Sequence, residues 1–332
     1  MEDGRGGGYQ GDGEHRPDRA PGPLTPSSVQ DAAQNAAEAL RRGDLVILPT
    51  ETVYGLAADA ANLRAVAAIF EAKGRPRFNP LIAHVEGRAA AERLAVLDDR
   101  ARLLTETFWP GPLTIVAPLA DASLVCDLAR AGLDTVAVRA PAHPLARQVL
   151  EAFGGPVVAP SANRSGRPSP TTFADALAET GGSAAAALDG GPCAIGLEST
   201  VVALLDGPAR LLRPGAVTRA QIEALIGPLA EAEADAKRSP GRLTHHYAPD
   251  APVRIDAFDA GPGEVVIGFG TVDGDFNLSP DGDLREAAAN LFAFLRAADA
   301  RRPTAIAIAP IPDHGIGEAI NDRLRRAAGF VG

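Results

Sequence analysis

Apolar residues follow two spacings along this chain, one typical of amphipathic helices and one of short buried strands. Residues 27–42 are predicted to form a helix, and the apolar run at residues 45–48 is predicted to form a buried strand. Asn62 is expected to cap a second helix, which Gly74 ends immediately after Lys73. Lys73 is therefore expected to lie where a helix passes into a loop.

Strands and helices alternate through the following residues. Further strands are predicted at residues 81–85, 113–117, 135–138, 156–159 and 200–205, and further helices at residues 143–153 and 173–179. This mixture predicts a three-layer α/β domain around a mixed sheet over residues 27–226. Loops at strand ends carry the ligand groups in such sheets.

Two segments lack apolar periodicity and divide the chain. Residues 1–26 are rich in Gly, Pro and charge without an apolar core, so we expect a disordered tail that is not a signal peptide. Residues 227–250 read as a linker. Beyond the linker, residues 251–332 are predicted to form a small α/β domain, with strands at 264–269 and 304–309 and helices at 284–298 and 317–328.

Composition narrows the class of protein. No run approaches the ~20 apolar residues of a membrane span, so we expect a soluble protein. The formal net charge of −10 argues against a surface that is wholly a nucleic-acid footprint. Only Cys126 and Cys193 occur, which fits a reducing, cytoplasmic compartment without a disulfide framework.

Polar residues concentrate in short segments next to predicted strands. There are five such segments: PTETVYG at 49–55, AKGRPRFNPLIAH at 72–84, VAVRAP at 136–141, APSANRSG at 159–166 and LEST at 197–200. Because loops at strand ends converge in α/β folds, we expect these segments to meet in one pocket. Ordinary turn chemistry is the alternative explanation.

The strongest candidate groups are cations. Lys73 and Arg75 suit a two-cation clamp on phosphates, although a solvated helix end explains them equally well. Arg139 directly follows an apolar strand, so its charge is expected to need an anionic partner, either a ligand or a buried salt bridge.

Other candidates are weaker when they are taken singly. Ser161 and Asn163 are placed to bind phosphate or ribose oxygens, but such turns are usually only turns. Thr52 follows the first strand and Ser199 lies at a strand entry, whereas His84 is more typical of a hydrogen-bonded core histidine than of a catalytic one. The sequence has no Walker A motif and no zinc-ligand spacing, so nucleotide binding has to rest on dispersed groups.

Taken in order, PTETVYGL, KGRPxxNPL, FWPGPLT, VAVRAP, PSAN, LESTVV, LLRPG and SPGRLTHHYAP resemble the YrdC-like threonylcarbamoyl-AMP synthases in their long two-domain form. The match covers about residues 27–250. The resemblance implies a twisted mixed sheet in the first domain and a smaller, Rossmann-like C-terminal α/β domain. One departure is the linker sequence before HYAP, which leaves open which linker side chain touches ATP.

The resemblance also implies an activity: L-threonine, bicarbonate and ATP give threonylcarbamoyl-AMP and pyrophosphate, with Mg²⁺ accompanying ATP and no protein side chain holding the metal. Lys73 and Arg75 would be the catalytic cations. ATP would be bound by Arg75, Asn79, Thr135, Ser161, Asn163, Ser169, Arg213, His246 and Tyr247. Threonine would be bound by Thr52, His84, Arg139, Ala159 and Ser199, with Arg139 on its carboxylate.

The implied partner is a transferase complex that passes the threonylcarbamoyl group to tRNA, and weak RNA binding is a further expectation. One alternative is a non-catalytic double-stranded RNA-binding module, because YrdC-like domains present a basic concavity. The acidic net charge weakens that alternative. A carbamoyl-phosphate-using transferase of related fold is a third reading, but the chain lacks the acylphosphatase-like and zinc-binding segments of such enzymes.

Overall fold

The computed structural model of the chain describes residues 26–231 and 247–329. Most of the expected N-terminal tail, up to residue 25, and residues 232–246 of the predicted linker lie outside the described residues. The described part forms two α/β domains in contact with each other, which confirms the predicted fold class.

The first domain is built on one ten-stranded mixed sheet, in the order β10-β9-β8-β4-β5-β3-β6-β2-β1-β7. Its strands are β1 Val46–Leu48, β2 Gly55–Asp59, β3 Ile82–His84, β4 Leu113–Pro118, β5 Thr135–Arg139, β6 Val157–Val158, β7 Ala186–Ala187, β8 Thr200–Ala203, β9 Arg210–Arg213 and β10 Ala230–Glu231. Its helices are α1 Pro26–Arg42, α2 Leu63–Lys73, α3 Arg88–Leu94, α4 Asp99–Phe108, α5 Asp127–Arg130, α6 Pro144–Phe153, α7 Phe173–Thr180 and α8 Arg219–Ile226. Because β10 pairs with β9, the first sheet extends to Glu231, past the predicted linker start.

The side chains of β1 point alternately to the two faces of the sheet, which shows why helices cover both faces. Val46 and Leu48 pack with α1 and α6, whereas Ile47 between them packs into the larger cluster that contains α2. All three side chains are fully buried. Successive strand side chains point to opposite faces, so a continuous apolar run needs a layer on each side. The result is the three-layer arrangement expected from the sequence.

Helix α2 is delimited by the residues that the sequence indicated. The side chain of Asn62 accepts hydrogen bonds from the backbone N–H groups of Arg64 and Ala65, at 3.0 and 3.2 Å. Gly74 ends the helix with φ of 58°, in the left-handed region that glycine adopts without a steric penalty. The chain turns there, so the loop that begins with Arg75 runs toward the strand β3.

The second domain contains a four-stranded parallel sheet in the order β11-β14-β12-β13. Its elements are β11 Val253–Arg254, β12 Val265–Gly268, β13 Phe276–Asn277, α9 Leu284–Ala300, β14 Ile306–Ile308 and α10 Gly317–Ala327. Helix α9 buries Leu291, Phe292 and Leu295 completely. Val53 and Leu197 of the first domain belong to the same apolar cluster, so the two domains share a core at their contact.

Candidate active site

One pocket collects residues from all five polar segments and from the start of the second domain. It encloses about 520 Å³, including the part that is open to solvent. Of the fifteen predicted site residues, nine line this pocket: Thr52, Arg75, His84, Arg139, Ala159, Ser161, Ser199, Arg213 and Tyr247. Segments more than a hundred residues apart in sequence therefore contribute to one cavity.

The other six predicted residues do not line it. Lys73, Asn79, Thr135, Asn163 and Ser169 are buried but are not part of the lining, and His246 lies outside the described residues. Thr135 begins β5, four residues before Arg139 at the other end of that strand.

Arg139 ends β5 and is almost fully buried. It donates hydrogen bonds to Glu51 Oε1 at 2.6 Å, to Thr52 Oγ1 at 2.9 Å and to the carbonyl oxygen of Gly111 at 3.2 Å. The expected anionic partner of Arg139 is thus present within the protein, as the buried salt bridge that the sequence had left open. The arginine still lines the pocket.

Glu51 is the carboxylate that holds Arg139. Its second oxygen, Oε2, accepts a hydrogen bond from the backbone N–H of Ala142 at 3.0 Å. Burial alone would raise the pKa of Glu51, but the charge of Arg139 and these hydrogen bonds hold the pKa below its usual value. The pair is therefore ionised at neutral pH and contributes no net charge to this end of the pocket.

His84 ends β3 beside Arg139, with which it is paired in the sheet register. Its Nδ1 lies 3.2 Å from the carbonyl oxygen of Ile82, which a neutral ring satisfies by donating from that nitrogen. Burial, and then the positive charge of Arg139, lower the pKa of His84 to about 3. The imidazole is neutral at physiological pH, so it does not serve as a proton donor in the pocket.

Hydroxyl groups border the same end. Thr50 and Thr52 place their Oγ1 atoms 2.8 Å apart, and the backbone N–H of Thr52 donates to Thr50 Oγ1 at 3.2 Å. Ser199 Oγ lies 2.7 Å from Thr114 Oγ1 and accepts a hydrogen bond from Arg213 Nη2 at 3.1 Å. These hydroxyls are fixed by their neighbours before any ligand arrives.

Arg75 opens the loop after α2 and lines the other end of the pocket. Its Nη2 donates to the carbonyl oxygen of Pro80 at 3.4 Å, and its buried Nε has no hydrogen-bond partner among the described residues. Burial lowers the pKa of Arg75 to about 10, so the guanidinium stays charged at neutral pH. Asn79 Oδ1 and Asn163 Oδ1 are likewise buried without a partner in the described ranges. Unsatisfied buried atoms of this kind are typical of a site whose ligand supplies the missing bonds.

Lys73 lies behind the lining. Its Nζ donates to the backbone carbonyl oxygens of Ser161 and Asn163, and burial followed by the charge of Arg75 lowers the pKa of Lys73 well below its usual value. Asn163 closes the same turn by donating to the carbonyl oxygens of Arg164 and Arg167, at 2.8 and 2.9 Å. Lys73 and Asn163 therefore shape the backbone that carries Ser161.

Tyr247 lies within the predicted linker and is the first residue that the structure describes after Glu231. It is buried, it lines the pocket, and its ring centroid lies 5.3 Å from that of Phe292 in α9. Its φ of 64° is in the left-handed region, which non-glycine residues seldom adopt. Tyr247 thus forms part of the pocket wall while packing into the core of the second domain.

Three charged residues of the site escaped the sequence reasoning. Glu51 and Glu198 stand inside two of the five polar segments, but no acidic residue of those segments was predicted as a site residue. Their proximity to Thr52 and Ser199 in sequence was a usable signal. Arg323 contacts Glu198 from α10 of the second domain, and nothing in the sequence near Arg323 marks it.

Two other residues prove to be structural. Tyr54 donates its hydroxyl to the carbonyl oxygen of Gly191 at 2.7 Å, and it does not line the pocket. Cys193 is buried, and burial raises the pKa of its thiol to about 12, which disfavours the reactive thiolate.

The described part of the chain contains neither a metal-binding cluster nor a membrane-spanning helix. Within residues 26–231 and 247–329, no three His, Cys, Asp or Glu side chains are grouped closely enough to hold a metal ion. In the same two ranges, no helix combines the length and the apolar composition that crossing a membrane requires.

Two family models match the chain. The model described as "Telomere recombination" matches residues 38–215, and the one described as "Threonylcarbamoyl-AMP synthase, C-terminal domain" matches residues 217–329. A threonylcarbamoyl-AMP synthase of Pyrococcus abyssi is 40% identical over 322 residues, covering 89% of this chain and 93% of the relative. One of Bacillus subtilis is 40% identical over 319 residues, covering 89% and 92%.

A solved structure gives the same relationship. The crystal structure of P. abyssi Sua5 complexed with L-threonine has a TM-score of 0.85 and is 38% identical, covering 91% of this chain and 95% of that one. The matched residues span both domains and the pocket between them. The chain therefore belongs to the threonylcarbamoyl-AMP synthase family, in its two-domain form.

Proposed function

We propose that this chain catalyses the formation of threonylcarbamoyl-AMP and pyrophosphate from L-threonine, bicarbonate and ATP, for the threonylcarbamoyladenosine modification of tRNA. The observation that carries the proposal is the single pocket into which five separated segments place three arginines and several fixed hydroxyls. Relatives with this name cover both domains of the chain.

The reaction proceeds in two steps. Bicarbonate takes up a proton and loses water to give carbon dioxide. The α-ammonium of threonine loses one proton to become the amine, whose nitrogen bonds to the carbon of carbon dioxide and releases a second proton, so that a carbamate forms. A carbamate oxygen then bonds to the α-phosphorus of ATP as the bond between that phosphorus and the pyrophosphate oxygen breaks. Neither step needs a protein nucleophile, so catalysis rests on positioning and on stabilising charge.

Threonine fits the end formed by Thr52, His84, Arg139, Ala159 and Ser199. Arg139 lines the pocket and is held in place by Glu51, so its guanidinium is positioned for the carboxylate of threonine. The hydroxyls of Thr52 and Ser199 suit the threonine hydroxyl. His84 adds a neutral ring to the wall.

ATP fits the other end. Arg75 and Arg213 line the pocket, and neither has a carboxylate within salt-bridge distance among the described residues, so their charges are available for phosphates. Ser161 and Tyr247 line the same end. Magnesium enters with ATP as part of the substrate, bound by phosphate oxygens, and it neutralises the charge on the departing pyrophosphate.

Lys73 takes a supporting place in this proposal. Because its ammonium donates to the carbonyl oxygens of Ser161 and Asn163, it orders the turn that faces the nucleotide. Asn79, Thr135, Ser169 and His246 remain proposed ATP-site residues from the family resemblance. A cytoplasmic location, transfer of the product to a tRNA-modifying transferase complex and weak RNA binding also belong to the proposal.

The test is pyrophosphate release by the purified chain in the presence of MgATP. We expect release only when threonine and bicarbonate are both present, and loss of release in the Lys73→Ala/Arg75→Ala double variant. Arg77→Ala is the matched control, because Arg77 is an exposed arginine of the same loop and is expected to be dispensable. Release that proceeds without threonine would refute the proposed function.

A further inference from the structure

Glu198 is a carboxylate in a pocket that otherwise presents arginines. Without other hydrogen-bond or ion-pair partners, a buried carboxylate in this pocket would repel phosphates or pair with Arg75 or Arg213. Both of its oxygens are instead engaged elsewhere. Oε1 accepts a hydrogen bond from Ser169 Oγ at 2.5 Å, and Oε2 accepts one from Arg323 Nε at 3.0 Å.

Arg323 belongs to α10 of the second domain, and its side chain is fully buried. Besides Glu198, its Nη1 donates to the carbonyl oxygen of Pro214 at 2.8 Å and to Asp322 Oδ2 at 3.0 Å. Pro214 directly follows the pocket residue Arg213. One guanidinium thus joins the Glu198 carboxylate to the backbone beside Arg213.

The same guanidinium also contacts the tyrosine of the pocket wall. Its Cζ lies 5.5 Å from the ring centroid of Tyr247, within the range of a cation–π contact. Glu198, Arg213 and Tyr247 all line the pocket. Arg323 therefore touches, directly or through one neighbouring residue, three parts of the wall at the end where we place ATP.

The second domain holds the segment before Ser169 as well. Arg296 of α9 donates to the carbonyl oxygen of Pro168, and its Nη1 donates to Glu179 Oε1 at 2.9 Å. The backbone N–H of Ala248 donates to the carbonyl oxygen of Gly166 at 2.8 Å. The loop that ends at Ser169 is thereby attached to the second domain at its own backbone.

At the threonine end of the pocket, Arg139 is held by residues of the first domain. The hydrogen-bond partners of Arg139 are Glu51, Thr52 and Gly111, all from the first domain. A disturbance of the second domain at Arg323 should therefore reach the ATP end and leave Arg139 and Thr52 in place. Ser199 of the threonine end is coupled to the disturbance, because it directly follows Glu198 and accepts a hydrogen bond from Arg213.

We propose that Arg323 is a positioning residue of the second domain that fixes the ATP end of the pocket by neutralising and orienting Glu198, so that Arg75 and Arg213 face the phosphates without a competing carboxylate. This inference rests on the proposed function for the identity of the two ligands. It assigns the second domain a direct structural part in nucleotide binding.

The experiment compares Arg323→Lys with Arg325→Gln. Lysine keeps the charge but cannot reach Glu198, Pro214 and Asp322 together, because it lacks the planar fork of arginine. Arg325 is the matched control, since it is an arginine of the same helix that is half-exposed and pairs with Asp313 at 3.3 Å. Steady-state KM and kcat are measured for each substrate, and ATP affinity is measured separately by equilibrium titration without turnover.

For Arg323→Lys we expect the KM for ATP and the Kd for ATP to rise about tenfold to a hundredfold, the effect of losing one or two charge-assisted hydrogen bonds. The KM for threonine should rise clearly less, because Arg139 is held by residues of the first domain. Arg325→Gln should match the wild type. In a Glu198→Gln background the Arg323→Lys change should add little, because the two residues act as one unit.

Three outcomes would overturn the inference: an unchanged ATP affinity, an equal loss of affinity for both substrates, or effects of the Arg323 and Glu198 changes that simply add. If Arg323→Lys does not fold, Glu198→Gln is measured instead, and it should weaken ATP binding more than threonine binding. A wild-type chain that binds ATP but releases no threonine-dependent pyrophosphate would refute the proposed function and not the role of Arg323.

Discussion

His84 offers a quantitative test of the electrostatics of the pocket. The imidazole is buried against Arg139 and is held neutral, with its pKa lowered to about 3 from a usual value of 6.5. Replacing it by glutamine keeps a polar side chain of similar length but removes the titration. We therefore predict that His84→Gln changes how the stability of the protein depends on pH.

The magnitude follows from proton linkage. When the pH falls below 6.5, the unfolded chain binds a proton at His84 that the folded chain does not, so each pH unit lowers the free energy of unfolding by ~1.4 kcal/mol. The loss continues until the pH reaches the folded-state pKa of about 3, and it amounts to roughly 5 kcal/mol in total. Above pH 7 the histidine is neutral in both states and contributes no slope.

The assay is urea unfolding of the wild type and of His84→Gln at several pH values between 4.5 and 8. The unfolding free energy of the wild type minus that of His84→Gln should rise by ~2.5 kcal/mol from pH 4.5 to pH 6.5 and then stay level. His314→Gln is the control, because it is the same substitution at an exposed histidine outside the pocket. Parallel curves for wild type and His84→Gln would show that His84 accepts a proton in the folded protein and would refute the reasoning.

Three further predictions address the salt bridge, the supporting lysine and the second domain. Glu51→Gln should lower the free energy of unfolding by about 3–5 kcal/mol at pH 7, because it leaves Arg139 buried without its carboxylate. This loss should shrink as the pH falls through the lowered pKa of Glu51. A change below ~1 kcal/mol, measured by urea unfolding at pH 7, would contradict the prediction. Lys73→Met should keep the thermal stability near that of the wild type, since it removes a buried ammonium. Pyrophosphate release by this variant should fall more than about a hundredfold. Retained activity would show that Lys73 is dispensable. Phe292→Ala should lower the free energy of unfolding by ~3–5 kcal/mol and weaken ATP binding, because Tyr247 loses the ring against which it packs. An unchanged ATP affinity in a titration would show that Tyr247 does not contribute to nucleotide binding.

Local sequence signals predicted the elements that local chemistry determines. The side chain of Asn62 and the left-handed Gly74 set both ends of α2, and a buried apolar run indicated β1. The strand Gly55–Asp59 escaped prediction because it consists of small residues directly after a polar turn and depends on pairing with β1 and β6. Strand β10 has two residues and exists through its pairing with β9, so no local pattern announces it.

The candidate site was likewise predictable only where local sequence determines it. Polar residues next to strands indicated which segments meet in the pocket, but partners distant in sequence decide how each side chain is used. Lys73 was expected either to bind phosphates or to end a solvated helix, and its contact with the turn at Ser161 was not foreseen. Arg139 was expected to pair either with a ligand or with a buried carboxylate, and Glu51 supplies that carboxylate from 88 residues away in sequence. Charge alone does not reveal such pairings, because they depend on the three-dimensional approach of separate loops.

The charges of the pocket sort into two ends once these pairings are counted. At one end Glu51 balances Arg139, so the local charge is neutral and suits a zwitterion such as threonine. At the other end Arg323 balances Glu198 from outside the pocket, and Arg75 and Arg213 have no balancing carboxylate within salt-bridge distance among the described residues. A net positive end is what a triphosphate requires. A chain with a net charge of −10 can thus hold a polyanion, because the carboxylates closest to the ligand are each bound to an arginine.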